Sequence, residues 1–462
     1  MIATLRGSSA RKYALWLAAV SLAAFIGFTV TILSTVLALT VVVAIVGTFL
    51  AFHYRATALE LSILGAAVSY HVSVETTPIN LSAAILVLPF LVISAYKSVQ
   101  TVPRSASKLR LVTTYSFVML VLFMLSLTYS SLSGNPVSVF AGANAIYKMI
   151  IGFLFLGAGT LAASASLRRR DFRFLVVWSV SAQCIAIATL FSMATPFKIV
   201  PSDSFGRYEG TLGDPNLFAT YLLLSAMVAG VVNILRKGRP WGINMALLLL
   251  AVLSTGSRGV LVTAAMLIVA YVLFASSVGD RFKVVFGIVV VSSVAALLTH
   301  QLMASIPAVG RAVRDFGGLE TDTRVALWTD ALDLWRHSPL FGIGPGQFQH
   351  YTSGVLGSEG GVVTHNTFIG FLTETGLVGL FAFLTIFVAA LRTVLRSLRD
   401  EPMIRLWLFL GFISVQIQMM SLNLENTVFI WLFVAVLLSS ASFSRAVPIG
   451  VYDPESGKSL AA

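Results

Sequence analysis

The sequence predicts an all-α, polytopic integral membrane protein: about 14 (12–14) transmembrane helices and one large outer loop with short helices of its own. Three observations carry this. Of 462 residues, 57% are hydrophobic and only 11% charged, and mean hydropathy is +0.90; a soluble domain of this size would carry far more charge on its surface. Apolar runs of the roughly 20 residues needed to cross a bilayer recur along the chain. The basic residues fall in short loops on alternate sides of those runs. That asymmetry accounts for the net charge of +12 without a nucleic-acid partner. A single cysteine, Cys184, excludes a disulfide framework or a thiolate metal cluster.

The apolar runs lie near 13–33, 35–52, 57–74, 80–96, 111–131, 143–165, 172–195, 214–234, 241–256, 259–277, 284–303, 366–391, 406–422 and 427–444. The first two, behind Arg6, Arg11 and Lys12, read as a retained helical hairpin rather than a cleaved signal. Both termini are expected in the cytoplasm. Lys97 to Arg110, Arg168 to Arg173, Arg236 to Arg239 and Arg392 to Arg405 then lie inside. Eight of the 31 Lys and Arg fall outside: Lys148, Lys198, Arg207, Arg258, Arg311, Arg314, Arg324 and Arg336. The positive-inside rule leaves these eight unexplained.

The chain therefore divides into N-terminal spans (1–195), central spans with arginine-bearing turns (196–303), a large outer loop (304–365), C-terminal spans (366–444) and a cytoplasmic tail (445–462). In loop 196–213, Arg207 precedes Asp214-Pro215-Asn216, where Asp can cap a helix and Pro fits its first turn. Ser254-Thr255-Gly256-Ser257-Arg258-Gly259 reads as a tight polar turn between two spans. In the large loop, residues 324–335 have a helical pattern, with Val325, Trp328, Leu332 and Trp335 forming one interfacial face. Pro339 ends that helix. Gly342, Gly344 and Gly346 then make an irregular turn past the site, with no phosphate-loop lysine behind them.

Two readings stand for each outer arginine. Arg207, Arg258 and Arg324 can give bidentate hydrogen bonds to a lipid-linked phosphate, or they can reach headgroups or pair with acids such as Glu209 or Asp322. His365, beside Asn366 at the start of a span, is either a general base or an N-cap or interfacial residue. A helix N-terminus would favour its neutral form. His337, His350, His300, His71 and His53 read as structural. Glu374 lies inside a span and needs a partner or a cavity. Asp322, Asp330 and Asp333 form no pattern that holds a catalytic divalent ion, so no metal or other cofactor is expected.

In order, the chain carries Gly-Asp-Pro-Asn-x-Phe-Ala after Arg207, Ser-Thr-Gly-Ser-Arg-Gly, Thr-Arg-x-x-x-Trp, Pro-Leu-Phe-Gly-Ile-Gly-Pro-Gly-x-Phe, and His-Asn-Thr-Phe with Glu-Thr-Gly-Leu-x-Gly-Leu. Over residues 200–440 this resembles the O-antigen ligase and O-antigen polymerase superfamily of bacterial envelope glycosyltransferases. The resemblance implies a GT-C-like fold in the inner membrane with a periplasmic site. It also implies an undecaprenyl-diphosphate-linked glycan as donor, and a glycan or glycolipid such as lipid A core as acceptor. Arg207, Arg258 and Arg324 would hold the diphosphate, with Asn366 and Glu374 in the substrate site. His365 would deprotonate the acceptor hydroxyl, with inversion at the sugar. Repeat-unit polymerisation is the alternative within the superfamily, and a lipid-linked glycan flippase the alternative outside it.

Overall fold

The computed structural model describes residues 71–73, 80–82, 106–134, 137–197, 199–203, 205–236, 239–274, 320–355 and 361–443. Eleven α-helices occur among them. They are α1 (Ala106–Leu132), α2 (Val139–Arg168), α3 (Arg173–Ala194), α4 (Pro215–Arg236), α5 (Arg239–Ser254) and α6 (Arg258–Phe274). After the undescribed interval come α7 (Glu320–His337), α8 (Gln347–Val355), α9 (Thr367–Ser397), α10 (Pro402–Met419) and α11 (Val428–Ser439).

Six of these helices, α1 to α4, α9 and α10, are long and apolar enough to cross a membrane, and α5, α6 and α11 are shorter apolar helices. The chain is a multi-pass membrane protein. The expected spans at 13–33, 35–52 and 284–303 lie outside the described residues. So do Lys198, Arg311, Arg314, His53, His300 and the 445–462 tail.

The described helices agree with the all-α expectation, and one short hairpin lies beside them. His71–Ser73 (β1) and Asn80–Ser82 (β2) pair antiparallel, with Val72 opposite Leu81. The hydropathy pattern puts these triplets at the ends of the expected spans 57–74 and 80–96. Each reads polar–apolar–polar, the period of a strand rather than of a helix.

Helices α4 and α11 form the centre. Residues Phe218 to Val232 of α4 are buried throughout, as is all of α11. α2 packs on α11 through small residues, with Gly152 under Trp431 and Gly159 under Leu432 and Ala435. A larger side chain at either glycine would hold the helices apart. Two polar pairs tie this core together: Trp178 Nε1 donates to Ser225 Oγ at 2.9 Å, and Ser164 Oγ lies 3.0 Å from Ser439 Oγ. Outward-facing apolar side chains such as Phe117, Met124, Met266 and Phe381 are exposed, as lipid-facing residues are.

Consecutive spans run antiparallel, so the helix ends gather at two faces. One face carries Arg168 to Arg173, Arg236 and Arg392 to Arg405. The other holds the connections after α1, α3, α5 and α10, together with α7, α8 and the start of α9. The candidate residues are at this second face.

Helix α9 is broken there. Gly376 has φ 66° and ψ −169°, a region open essentially to glycine alone. The glycine-rich run after α7 fills the break. Ile343 N donates to Thr373 O and Gly344 N to Glu374 O, both at 2.9 Å. In return, Leu377 N donates to Pro339 O at 2.9 Å and Val378 N to Leu340 O at 3.2 Å. Ser126 Oγ of α1 lies 2.6 Å from Phe341 O and 2.7 Å from Glu374 O. The loop thus supplies the backbone partners that the interrupted helix lacks, as a span in lipid requires.

Candidate active site

Asp203 shapes the turn that presents Arg207. Its Oδ1 accepts from the amides of Phe205 and Arg207, each at 2.9 Å. The Arg207 guanidinium then bridges three elements. Nε donates to Thr255 O at 3.0 Å, Nη2 donates to Asn216 Oδ1 at 2.9 Å, and Asp203 lies 4.0 Å away. Asp214 caps α4 as expected, accepting from Asn216 N at 2.7 Å and Leu217 N at 2.8 Å. Glu209, in the same loop, has its carboxyl pushed above the usual range, first by burial, then by Asp203 and Asp214, with Arg207 opposing.

Arg258 is the first residue of α6, three positions past the carbonyl that Arg207 holds. Tyr208 N also donates to Ser254 O at 3.3 Å, so loop and turn are stitched twice. From α10, Gln418 Nε2 donates to Thr263 Oγ1 at 2.6 Å and reaches Gly259 O at 3.3 Å. The brace predicts a stability result. Lysine keeps the charge of Arg207 but not its fork of donors. Arg207→Lys is expected to cost about 1–3 kcal/mol, read as a lower thermal midpoint of the detergent-purified protein. A wild-type midpoint would mean the brace carries no weight.

His365 lies outside helix α9, with φ 49° in the left-handed region. The N-cap is Asn366, whose Oδ1 accepts from Phe368 N at 3.0 Å and Ile369 N at 3.1 Å. That removes the reading of His365 as a cap. The turn is pinned on two sides. Trp328 Nε1 of α7 donates to Thr364 O at 2.9 Å. The loop after α10 holds the other side: Thr367 Oγ1 donates to Leu422 O at 2.8 Å and accepts from Leu424 N at 2.9 Å.

Arg324 is half-buried and stands one helical turn before Trp328, on the element laid over the His365 turn. The expected interfacial face of α7 is rotated. Leu327 and Ala331 are buried, with Leu334 packed beside them, whereas Val325 is 50% exposed. Trp328 and Trp335 flank that stripe, and both indole nitrogens bond backbone carbonyls. Asp330 and Asp333 are exposed, the latter paired with Arg336.

These contacts form one continuous path across the site face. It runs from Arg207 to the Thr255–Arg258 turn, to the end of α10, to the Leu422–Glu425 loop, to His365, and to the α7 helix of Arg324. Glu374 is placed differently, deeper, where it lines a cavity of about 400 Å³. Its carboxylate accepts from the amides of Gly346 and Phe348. Thr364, next to His365, lines the same cavity, as do Lys148, Asn423 and Glu425. His350, read as structural, also lines it.

Glu425 was not among the sequence candidates. Burial pushes its carboxyl above the usual range, and hydrogen bonds from Asn423 and Thr367 and the charge of Lys148 oppose that rise. The signal for it was thin, an acid in a short turn between two apolar helices.

Residues 243–384 match the family model described as O-antigen ligase. This match supports the expected resemblance to the O-antigen ligase and polymerase superfamily. No curated protein matches it. The matched segment contains Arg258, Arg324, His365, Asn366 and Glu374, and Arg207 joins it through the Thr255 carbonyl. The match gives the flippase alternative no support.

Proposed function

We propose that this protein is an O-antigen ligase-like transferase. It moves a glycan en bloc from undecaprenyl diphosphate to an acceptor hydroxyl, on a glycolipid such as lipid A core or on a growing polysaccharide, at the periplasmic face of the inner membrane. The observation that carries the reading is the path linking Arg207 and the Arg258 turn to the pinned turn of His365. It supports the reading because arginines, which can neutralise a diphosphate, stand at the same face as a histidine, which can take a proton.

His365 accepts the proton of the acceptor hydroxyl as the oxygen attacks the anomeric carbon. The bond from that carbon to the diphosphate oxygen breaks, and its electron pair leaves with undecaprenyl diphosphate. Arg207, Arg258 and Arg324 offset the charge that builds on the leaving oxygen. Attack opposite the leaving group inverts the sugar centre. Diphosphate is a good leaving group, so no metal enters the scheme.

The test mixes purified protein with lipid-diphosphate-linked glycan and candidate acceptors in the presence of EDTA. Release of free lipid diphosphate with formation of a new glycoconjugate is expected. Arg258→Ala should lower the rate by about a hundred- to a thousandfold, the usual effect of removing one donor to a developing charge. An Arg258→Ala rate equal to wild type would remove that residue from the scheme. Lipid A core as the working acceptor identifies a ligase; a second lipid-linked repeat unit identifies a polymerase.

A further inference from the structure

The cavity beside His365 has a composition that the diphosphate scheme does not use. Its walls come from α2, α8, the turn before α9, α9 itself and the loop after α10. At about 400 Å³ it falls in the range of sites that hold small molecules, roughly 300–1,000 Å³. Lys148 enters it from α2, Glu374 from α9 and Glu425 from the last loop, and each acid is within electrostatic reach of the lysine.

Three ligand classes fit poorly. A diphosphate would meet two acids for one base. A cation would meet Lys148, which already holds that role between the carboxylates. An apolar chain would cover the Asn144 Oδ1, which is buried with no hydrogen-bond partner among the described residues. Covering it with hydrocarbon would leave the desolvation cost of that group unrelieved.

A polyhydroxylated ring fits all of these groups. Each hydroxyl can donate to a carboxylate or amide oxygen and accept from an ammonium or amide nitrogen. Phe140, 43% exposed at the cavity, offers an aromatic face for the apolar side of such a ring. The fork of Gln347 holds the walls in place: Ser138 N donates to its Oε1 at 2.8 Å, and its Nε2 donates to Ser138 O at 2.9 Å.

We infer that this cavity is a saccharide subsite, in which Lys148, Asn144 and Glu425 hold an uncharged sugar unit beside the His365 turn. The inference rests on the transferase reading for its place in the reaction, but sugar binding itself does not. The sugar can belong to the acceptor or to the donor glycan, and kinetics separate the two.

The experiment has two stages on the full chain in nanodiscs. Saturation-transfer NMR with methyl glucoside, methyl galactoside and methyl N-acetylglucosaminide reads binding directly. At least one glycoside should bind, Lys148→Met and Asn144→Leu should each weaken it about tenfold, roughly one good hydrogen bond to a charged or buried group, and Arg336→Ala, at an exposed position of α7 outside the cavity, should leave it unchanged. Val363→Trp, at the cavity wall, serves if either variant has a lowered thermal midpoint. Glycoside binding that none of these variants weakens, or no binding at all, overturns the subsite even if transfer proceeds. The second stage measures transfer by Lys148→Met and Glu425→Gln. A tenfold rise in acceptor KM with donor KM unchanged assigns the acceptor, and the reverse assigns the donor. Unchanged KM for both overturns the role in transfer. Cavity-dependent binding without transfer in wild type keeps the subsite and rejects the reaction proposed above.

Discussion

His365→Ala is expected to lower glycan transfer by about a hundred- to ten-thousandfold, the usual worth of a positioned general base. The local backbone is the reason to expect so large an effect from one side chain. A non-glycine residue at positive φ is uncommon and persists where its surroundings hold it. Here the preceding carbonyl is held by Trp328, and the following residue is held by its own capping bonds to Phe368 and Ile369. The backbone of His365 is thereby held at the end of a span, next to Thr364, which lines the cavity. Alanine removes the ring and leaves those bonds in place. The thermal midpoint should therefore stay near wild type while transfer is lost, with little change in donor KM. His365→Ala protein that transfers at the wild-type rate would end the assignment. A collapse of midpoint and rate together would instead mark the histidine as structural.

Much of the bundle was legible in the sequence because hydropathy and basic loops report directly on the bilayer. Nine expected spans correspond to helices whose ends differ by a few residues, such as 172–195 against Arg173–Ala194. The Asp214 cap was readable for the same local reason. What failed depended on tertiary partners. The face of α7 was assigned by its tryptophans, but indoles can flank a buried stripe and satisfy their own nitrogens on a neighbouring backbone, as Trp328 does. The stripe itself, Leu327, Ala331 and Leu334, is less conspicuous than its flanks.

The site was legible unevenly. Arg207 and Arg258 stood out as charges that the positive-inside rule could not place, and the approach of their loop and turn rests on two carbonyls, Ser254 and Thr255. Lys148 stood out for the same reason, yet nothing in its neighbourhood named Glu374 and Glu425 as the acids that face it. These three come from separate helices and a loop far apart in sequence. Glu374 was flagged as an acid in a span, and the cavity supplies the setting such a residue needs.

The other large effect is expected at Gly376. The run Glu-Thr-Gly-Leu reads as an ordinary helix with one tolerated glycine, and nothing local announces a break. In the structure, a Cβ at this position would collide with the Leu340 carbonyl. Gly342, across the same seam, would collide with the Glu374 backbone. Both glycines therefore permit one close approach of two backbones, the seam through which Pro339 to Gly344 completes α9. Gly376→Ala must either adopt a conformation nearly closed to L residues or push the loop out of the break, which strands the amides of Leu377 and Val378. Forbidden dihedrals and overpacking each cost about 1–3 kcal/mol. The variant should lose on the order of 3 kcal/mol or more and unfold at a clearly lower temperature. Because the seam ends at the Gly346 and Phe348 amides that meet the Glu374 carboxylate, displacement should also disturb the cavity, and glycoside binding should fall with stability. A Gly376→Ala protein with a wild-type midpoint would mean that α9 can close over the gap as an unbroken helix, and the loop would then owe its position to α1 and α2 alone.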